Sequence, residues 1–229
     1  MMQANAAHNW AIVPVKQLSR AKQRLSPVLS GEQRVALAKA MLHDVLAALT
    51  AVPELSGILV VTGDAAAARL AARFGARVVD DVMEAGINHA LQQALRASEV
   101  SSAGVLIVPA DIPFVTPAEL QAVVAELDHA PIVLTPASSD GGTNALAMRR
   151  RDLMTPCFGR DSFMRHQALA RSSGHACSIV RAEGLGHDID DPGDLMWPVM
   201  ASSSLQTVQL LTELRAGARL AMPSIGRLA

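Results

Sequence analysis

Three groups of residues in this chain combine charge with a spacing that suits chemistry on phosphate. Lys16, Arg20, Lys22 and Arg24 fall within nine residues, just past an apolar run. Flexible cations in such a place hold a polyphosphate and offset charge that builds during phosphoryl transfer. A solvated charged loop is the other reading of the same run. Next, Pro109-Ala110-Asp111-Ile112-Pro113 sets an acid directly after a second apolar run, in a turn stiffened by two prolines. Thr116 already caps the helix expected downstream, so Asp111 is left for a ligand such as Mg²⁺, which takes oxygen donors and keeps its bound phosphates. Finally, in His187-Asp188-Ile189-Asp190 an extended chain turns Asp188 and Asp190 the same way. Carboxylates side by side repel unless a cation lies between them, which argues for a metal. The following Asp191-Pro192-Gly193-Asp194 reads as a turn.

Two further segments carry polar groups beside glycine. Asp140-Gly141-Gly142-Thr143-Asn144 lets backbone come close to a ligand and offers hydrogen-bond donors from Thr143 and Asn144. In Phe158-Gly159-Arg160-Asp161-Ser162-Phe163, Gly159 precedes a helix for which Ser162 is the expected N-cap, and a helix start attracts phosphate or carboxylate. Each is an ordinary turn if taken alone. Other chemistries are missing their signatures: there is no GxxxxGK[ST], no GxGxxG and no GxSxG. His8, His43, His89, His129, His166 and His175 show no ligand spacing, and His187 is kept out of the metal set. Cys157 and Cys177 read as small apolar residues in a reducing compartment.

The elements that must position these residues follow from the apolar pattern. Strands are expected at residues 10–15, 57–62, 77–79, 104–108, 131–135, 145–148 and 178–180. Helices are expected at 31–50, 65–74, 86–97, from 117 onward, 162–172 and 205–216. Ser30 with Gln33 forms a capping box, Asp64 caps the second helix, and Thr116-Pro117-Ala118-Glu119 opens the fourth. Strand and helix alternate as in a doubly wound α/β sheet, mixed in its later half, and ligands of such sheets sit at the carboxyl ends of the strands. The last helix spaces Leu205, Val208, Leu211 and Leu214 to pack on the domain rather than to form a dimer seam.

With 229 residues, half of them hydrophobic, the chain can bury a sizeable core. A net charge of −1, with aromatics at 3% and no Tyr, disfavours nucleic acid as a partner. The apolar runs are strand-length, so no membrane partner is expected, and no signal peptide is legible at the start. Cytoplasmic placement is the expectation. Residues 1–9 are expected as a flexible start, 10–200 as one domain, and 201–229 as a C-terminal helix and tail.

Taken in order, the segments Ile12-Val13-Pro14-Val15-Lys16 with Ala21-Lys22-Gln23-Arg24-Leu25, Pro109 to Pro113, Gly141 to Leu146, Phe158 to Phe163 and His187 to Asp190 form one set. The set resembles the CofC/FbiD family, the guanylyltransferases of coenzyme F-420 biosynthesis, within the MobA-like nucleotidyltransferases. The resemblance runs over about residues 10–195 and leaves out the tail.

It implies a single-domain, GT-A-like (Rossmann-like), mostly parallel sheet with helices on both faces. The implied reaction attaches GMP from GTP to a three-carbon phospho-acid and releases pyrophosphate. The acid differs among members: 2-phospho-L-lactate, phosphoenolpyruvate or 3-phospho-D-glycerate. By the same likeness Asp111, Asp188 and Asp190 would hold Mg²⁺, and Thr143, Gly159 and Ser162 the phospho-acid. Lys16, Lys22 and Arg24 would meet the GTP phosphates, and Asn88 would lie near the base, although Ile87 stands where relatives carry leucine. The product would pass to the next F-420 pathway enzyme, and a homodimer is a further expectation.

Three rivals share parts of this pattern. Another MobA-like transferase would carry a glycine-rich loop after the first strand, where Pro14-Val15-Lys16 stands instead. A GT-A glycosyltransferase shares the fold and a metal acid but cleaves a sugar nucleotide. A non-catalytic nucleotide-binding module has no need of three carboxylates converging on a metal.

Overall fold

Chain alternation and helix caps together produce the architecture in the computed structural model, which describes residues 9–81, 85–101, 103–196 and 204–216. The first strand, β1 (Asn9–Pro14), leads through a long loop with two 3₁₀ turns into α1 (Gly31–Thr50). That helix starts where the capping box places it: Ser30 accepts from Gln33 N–H while Gln33 returns a bond to Ser30 N–H. Next come β2 (Leu55–Val61) and α2 (Ala65–Arg73), the latter capped by Asp64 bonds to the N–H groups of Ala66 and Ala67. Then follow β3 (Arg77–Val79), α3 (Ile87–Ala94), β4 (Gly104–Ile107) and α4 (Pro117–Ala125), whose Thr116–Glu119 capping box is present. The rest of the described chain holds β5 (Ile132–Pro136), β6 (Thr143–Met148), α5 (Ser162–Ser172), β7 (Cys177–Ile179), the one-turn α6 (Glu183–Gly186) and α7 (Gln206–Ala216).

The seven strands form one sheet in the order β3-β2-β1-β4-β6-β5-β7. β1 pairs in parallel with β2 and β4, β2 with β3, and β5 with β7, while β6 runs antiparallel to both of its neighbours. This single reversal has a consequence for function. The start of β6, at Thr143, reaches the same sheet edge as the carboxyl ends of the other six strands. Between β1 and β4 the strand order changes direction, which opens the crevice where doubly wound sheets bind ligands.

Register lines up large side chains across the sheet. Ile12 lies opposite Leu59 on one side and Ile107 on the other, Ile107 opposite Leu146, and Leu146 opposite Leu134. This row packs with α3 and α5, while the alternate residues Val13, Val60, Leu106 and Val133 pack with α1, α2, α4 and α7. Period-two alternation therefore feeds two cores, one on each face. Each fully buried Leu or Ile contributes about 1.5–3 kcal/mol of burial free energy.

The last helix lies on α1 through buried Leu211 and Leu214, as the leucine spacing predicts. The flexible character expected of residues 1–8 lies outside the described residues. Asn9, expected in that start, instead opens β1. Among the described residues no helix is long and apolar enough to cross a membrane.

Candidate active site

The loop after β1 delivers cations to the crevice because it is tied down on both sides. Leu18 and Leu25 are buried in the core, and Leu18 N–H donates to Asp64 Oδ2 at 2.9 Å. Asp64 thus caps α2 and holds the basic loop with one carboxylate. Between the two 3₁₀ turns Lys22 takes a left-handed conformation, φ 52° and ψ 43°, at a cost of about 1 kcal/mol for a residue with a Cβ. That backbone aims the side chain inward. Its Nζ donates to Asp111 Oδ2 and to Asp190 Oδ1, both at 2.7 Å, with only 7% of the side chain exposed.

Three separate elements meet in that contact: the β1 loop, the turn after β4, and the strand-like segment after α6. The last is registered on the second by a backbone bond from Ile189 N–H to the carbonyl of Asp111. The Asp194 carboxylate takes the N–H groups of Asp190 and Asp191 at 2.8 and 2.7 Å and fixes the turn. Arg24 reaches Asp190 Oδ2 at 3.6 Å from an exposed position, and exposed Lys16 lines the same cavity.

Electrostatics separates the three carboxylates. Burial pushes the Asp190 carboxyl up, but the Lys22 charge and hydrogen bond, then Arg24 and Lys16, hold it below the ordinary range. Asp188 goes the other way, to about 6, because burial and then the charge of Asp111 outweigh the 3.3 Å bond it accepts from Asn144 Nδ2. Burial alone would lower the Lys22 ammonium, and the two carboxylates more than reverse that. Lys22 therefore stays charged. Among the described residues no set of three or more His, Cys, Asp or Glu side chains closes as a metal cage. The donor set nonetheless suits a hard divalent cation: it is all oxygen, it already holds one positive charge, and among the described residues Asp188 has no ion-pair partner of its own.

A second cluster lies along β6 and α5. Ser162 was expected as the N-cap of α5; the structure makes Asp161 the N-cap, at φ 55°, and Ser162 the first helical residue. The reason is that the Ser162 hydroxyl is engaged elsewhere, 3.1 Å from Thr143 Oγ1 and fully buried. Thr143 Oγ1 also lies 2.9 Å from His166 Nδ1, and His166 Nε2 accepts from Cys157 N–H at 2.9 Å. An Nε2 that accepts leaves the proton on Nδ1, so the neutral ring donates to Thr143. Burial, then Arg165, lowers the His166 pKa to about 4, consistent with that neutral ring. With His166 donating into it, the Thr143–Ser162 pair keeps one hydroxyl proton for a ligand.

Gly159 sits at φ 125°, a conformation that suits glycine, and its carbonyl accepts Ser162 N–H. Asn144, next to Thr143, joins this cluster to the acids through Asp188. Asn88, expected near the base, spends its amide on Phe158, donating to its carbonyl at 3.1 Å and accepting its N–H at 2.8 Å. It ties α3 to the Gly159 turn.

Sequence reading missed His166 and the second role of Asp64, and it named Asn144 as a donor without its tie to Asp188. For His166 a signal existed: it lies one helical turn after Ser162, on the same face. Burial pushes both thiols up, so Cys157 and Cys177 stay protonated, in keeping with an inert role.

A model of the guanylyl transferase CofC-like family matches residues 9–228, past residue 195 where the sequence motifs end. The phosphoenolpyruvate guanylyltransferase of Sphaerobacter thermophilus is 41% identical over 81% of this chain and 89% of its own length. The 3-phospho-D-glycerate guanylyltransferase of Phenylobacterium zucineum is 36% identical over 90% and 96%. The 2-phospho-L-lactate guanylyltransferase of Methanothermobacter thermautotrophicus is 33% identical over 90% of each. In fold, the chain is similar to a Desulfovibrio desulfuricans protein described as a candidate nucleotide-diphospho-sugar transferase. That pair has a TM-score of 0.74 at 18% identity, over 92% of this chain and 96% of that one.

Proposed function

The chain belongs to the CofC-like guanylyl transferase family, and from that premise we propose that it transfers GMP from GTP to a three-carbon phospho-acid. A phosphate oxygen of the acid attacks the α-phosphorus of GTP, the bond to the β-phosphate breaks, and pyrophosphate leaves. The attacking oxygen is already anionic, so no strong base is required. The barrier lies in bringing anions together, which positioning and positive charge must supply. The observation that carries the reading is the Lys22 ammonium held between Asp111 and Asp190 at the β1–β4 crevice.

In this reading Lys16, Lys22 and Arg24 hold the triphosphate. Asp111, Asp188 and Asp190 would hold Mg²⁺, which when bound neutralises the pyrophosphate as it leaves. One hydroxyl of the Thr143–Ser162 pair donates to the phospho-acid, and the Gly159 turn lets backbone approach it. Asn88 serves by fixing that turn. Residues 10–200 form the transferase unit, with residues 201–229 as an addition that includes α7. The guanylylated acid is then consumed by the next enzyme of F-420 assembly, in the cytoplasm where GTP is available.

Pyrophosphate release is the direct test. GTP and ATP are crossed with phosphoenolpyruvate, 3-phospho-D-glycerate, 2-phospho-L-lactate and a no-acid control, all with Mg²⁺. Release that needs GTP and one acid is expected, with the next pathway enzyme as a trap for unstable product. Absence of acid-dependent release from every pair, with GTP still bound, overturns the proposal.

A further inference from the structure

The cavity that holds Lys22 and Asp111 extends along the sheet edge to Asp81, just past the end of β3. Its volume is about 520 Å³. Three strand steps separate β3 from β4, roughly 14 Å at the usual spacing between strands. Asp81 is only 9% exposed. Its Oδ1 finds no hydrogen-bond partner among the described residues, and neither does His89 Nδ1, which faces it at 4.0 Å, the outer limit of an ion pair when the ring is protonated and too long for a hydrogen bond. A buried carboxylate oxygen without a donor is destabilising. Such a group in a ligand cavity is best explained by donors that arrive with the ligand.

The surroundings say what kind of ligand. Ile87 and Ala90 of α3 give the cavity an apolar wall, and Gly86, at φ 99°, has no atom within 4 Å of where a Cβ would stand. A flat ring fits against that wall. A carboxylate accepts hydrogen bonds and donates none. Guanine offers two donors side by side, N1–H and the 2-amino group. Adenine offers one amine next to a lone pair. Resting on the guanylyl-transfer reading for the nucleotide's position, we infer that Asp81 reads the guanine edge of GTP and sets the choice of base.

Asp81 takes N1–H and the 2-amino group, and the triphosphate runs back along the sheet edge toward Lys22. The test is nucleotide binding, measured by calorimetry without the phospho-acid, so it does not depend on turnover. The ligands are GTP, inosine triphosphate (which lacks the 2-amino group), xanthosine triphosphate (which carries a carbonyl there) and ATP. Wild-type protein is expected to bind GTP at least about tenfold tighter than inosine triphosphate, the value of one hydrogen bond to a charged group. Asp81→Asn replaces an acceptor by a donor facing position 2. It is expected to reverse the order, with xanthosine triphosphate at least about tenfold ahead of GTP.

A structural role for Asp81 cannot produce that reversal. Unchanged preference in Asp81→Asn, with wild type still selecting GTP, overturns this inference and leaves guanylyl transfer standing. Wild-type protein that binds ATP in preference to GTP overturns both. Should the variant fail to fold by thermal melting, wild type alone decides: inosine triphosphate bound within twofold of GTP overturns the assignment, and a tenfold deficit supports it.

Discussion

Around the Lys22 ammonium two carboxylates sit at 2.7 Å, with Arg24 and Asp188 beside them. Around Thr143 the partners are a neutral imidazole and a serine hydroxyl, all three buried. The two clusters share one sheet edge and are joined by Asn144, yet they are built on opposite principles. The first stores charge at a cavity wall. In the proposed reaction the ammonium holds the carboxylates until a ligand and its counterion replace it, and removing one partner leaves the others unbalanced. The second stores direction. Its groups are uncharged and locked by burial, and only a proton on one hydroxyl is left to meet a ligand. A nucleotide with several charges needs the first kind of site. A small acid that must be aimed at one phosphorus needs the second.

If charge is what the first cluster supplies, Asp190→Asn will have the largest effect of any single change. The substitution keeps shape and removes the charge that Lys22 and Arg24 face. Turnover is expected to fall on the order of a thousandfold in protein that still folds. Wild-type turnover in that variant sinks the contrast at its root.

The second cluster answers to pH. His166 titrates at about 4 in the folded protein against 6.5 for the free side chain. Between those values the unfolded chain binds the extra proton, so this histidine makes stability fall as pH drops from 6.5 toward 4. The full loss is roughly 3 kcal/mol. His166→Gln keeps an acceptor for Cys157 N–H and removes the titration. Urea midpoints at pH 7.5 and 4.5 are expected to diverge less in the variant than in wild type. Equal divergence means the ring is already charged when folded, and the neutral chain of donors is wrong.

Thr143→Val tests the aim of that chain. It deletes the hydroxyl in a side chain of the same shape and is expected to raise the KM for the phospho-acid about tenfold to a hundredfold, the value of one hydrogen bond to an anion. Affinity for GTP is expected to stay put. A matching rise in the KM for GTP blurs the boundary between the two clusters.

The same contrast explains what sequence could reveal. Lys22, Asp111 and Asp190 stand out because charged residues beside prolines and apolar strands have few structural uses, and the capping boxes of α1 and α4 mark their helices to the residue. Thr143, Ser162 and His166 are common residue types whose roles depend on being buried together. A strand and a helix 19 residues apart must pack before the Ser162–Thr143 bond exists. Ser162 looked like an N-cap because Ser usually is one. Tertiary burial overrode that preference and moved the cap to Asp161. A mixed later half was legible, but not which strand reverses: alternation marks β6 as a strand without giving its direction, and direction is what brings Thr143 to the crevice.

The smallest effect is expected far from both clusters, where α7 meets α1. Its first turn is held by an acid from the other helix: Asp44, buried in α1, accepts the N–H groups of Gln206 and Thr207 at 3.0 and 2.8 Å. An N-cap normally comes from the residue before the helix. Here it comes from 162 residues away, while Leu211 and Leu214 close the contact. Asp44→Ala leaves two first-turn N–H groups, that of Thr207 buried, without this acceptor and is expected to cost about 1–2 kcal/mol, read as a lower urea midpoint. Both KM values and kcat at 25 °C are expected to match wild type. A selective change in either KM, in protein that is still folded, means that α7 reaches the crevice through α1, and the two clusters are then not the only parts of the molecule that set its chemistry.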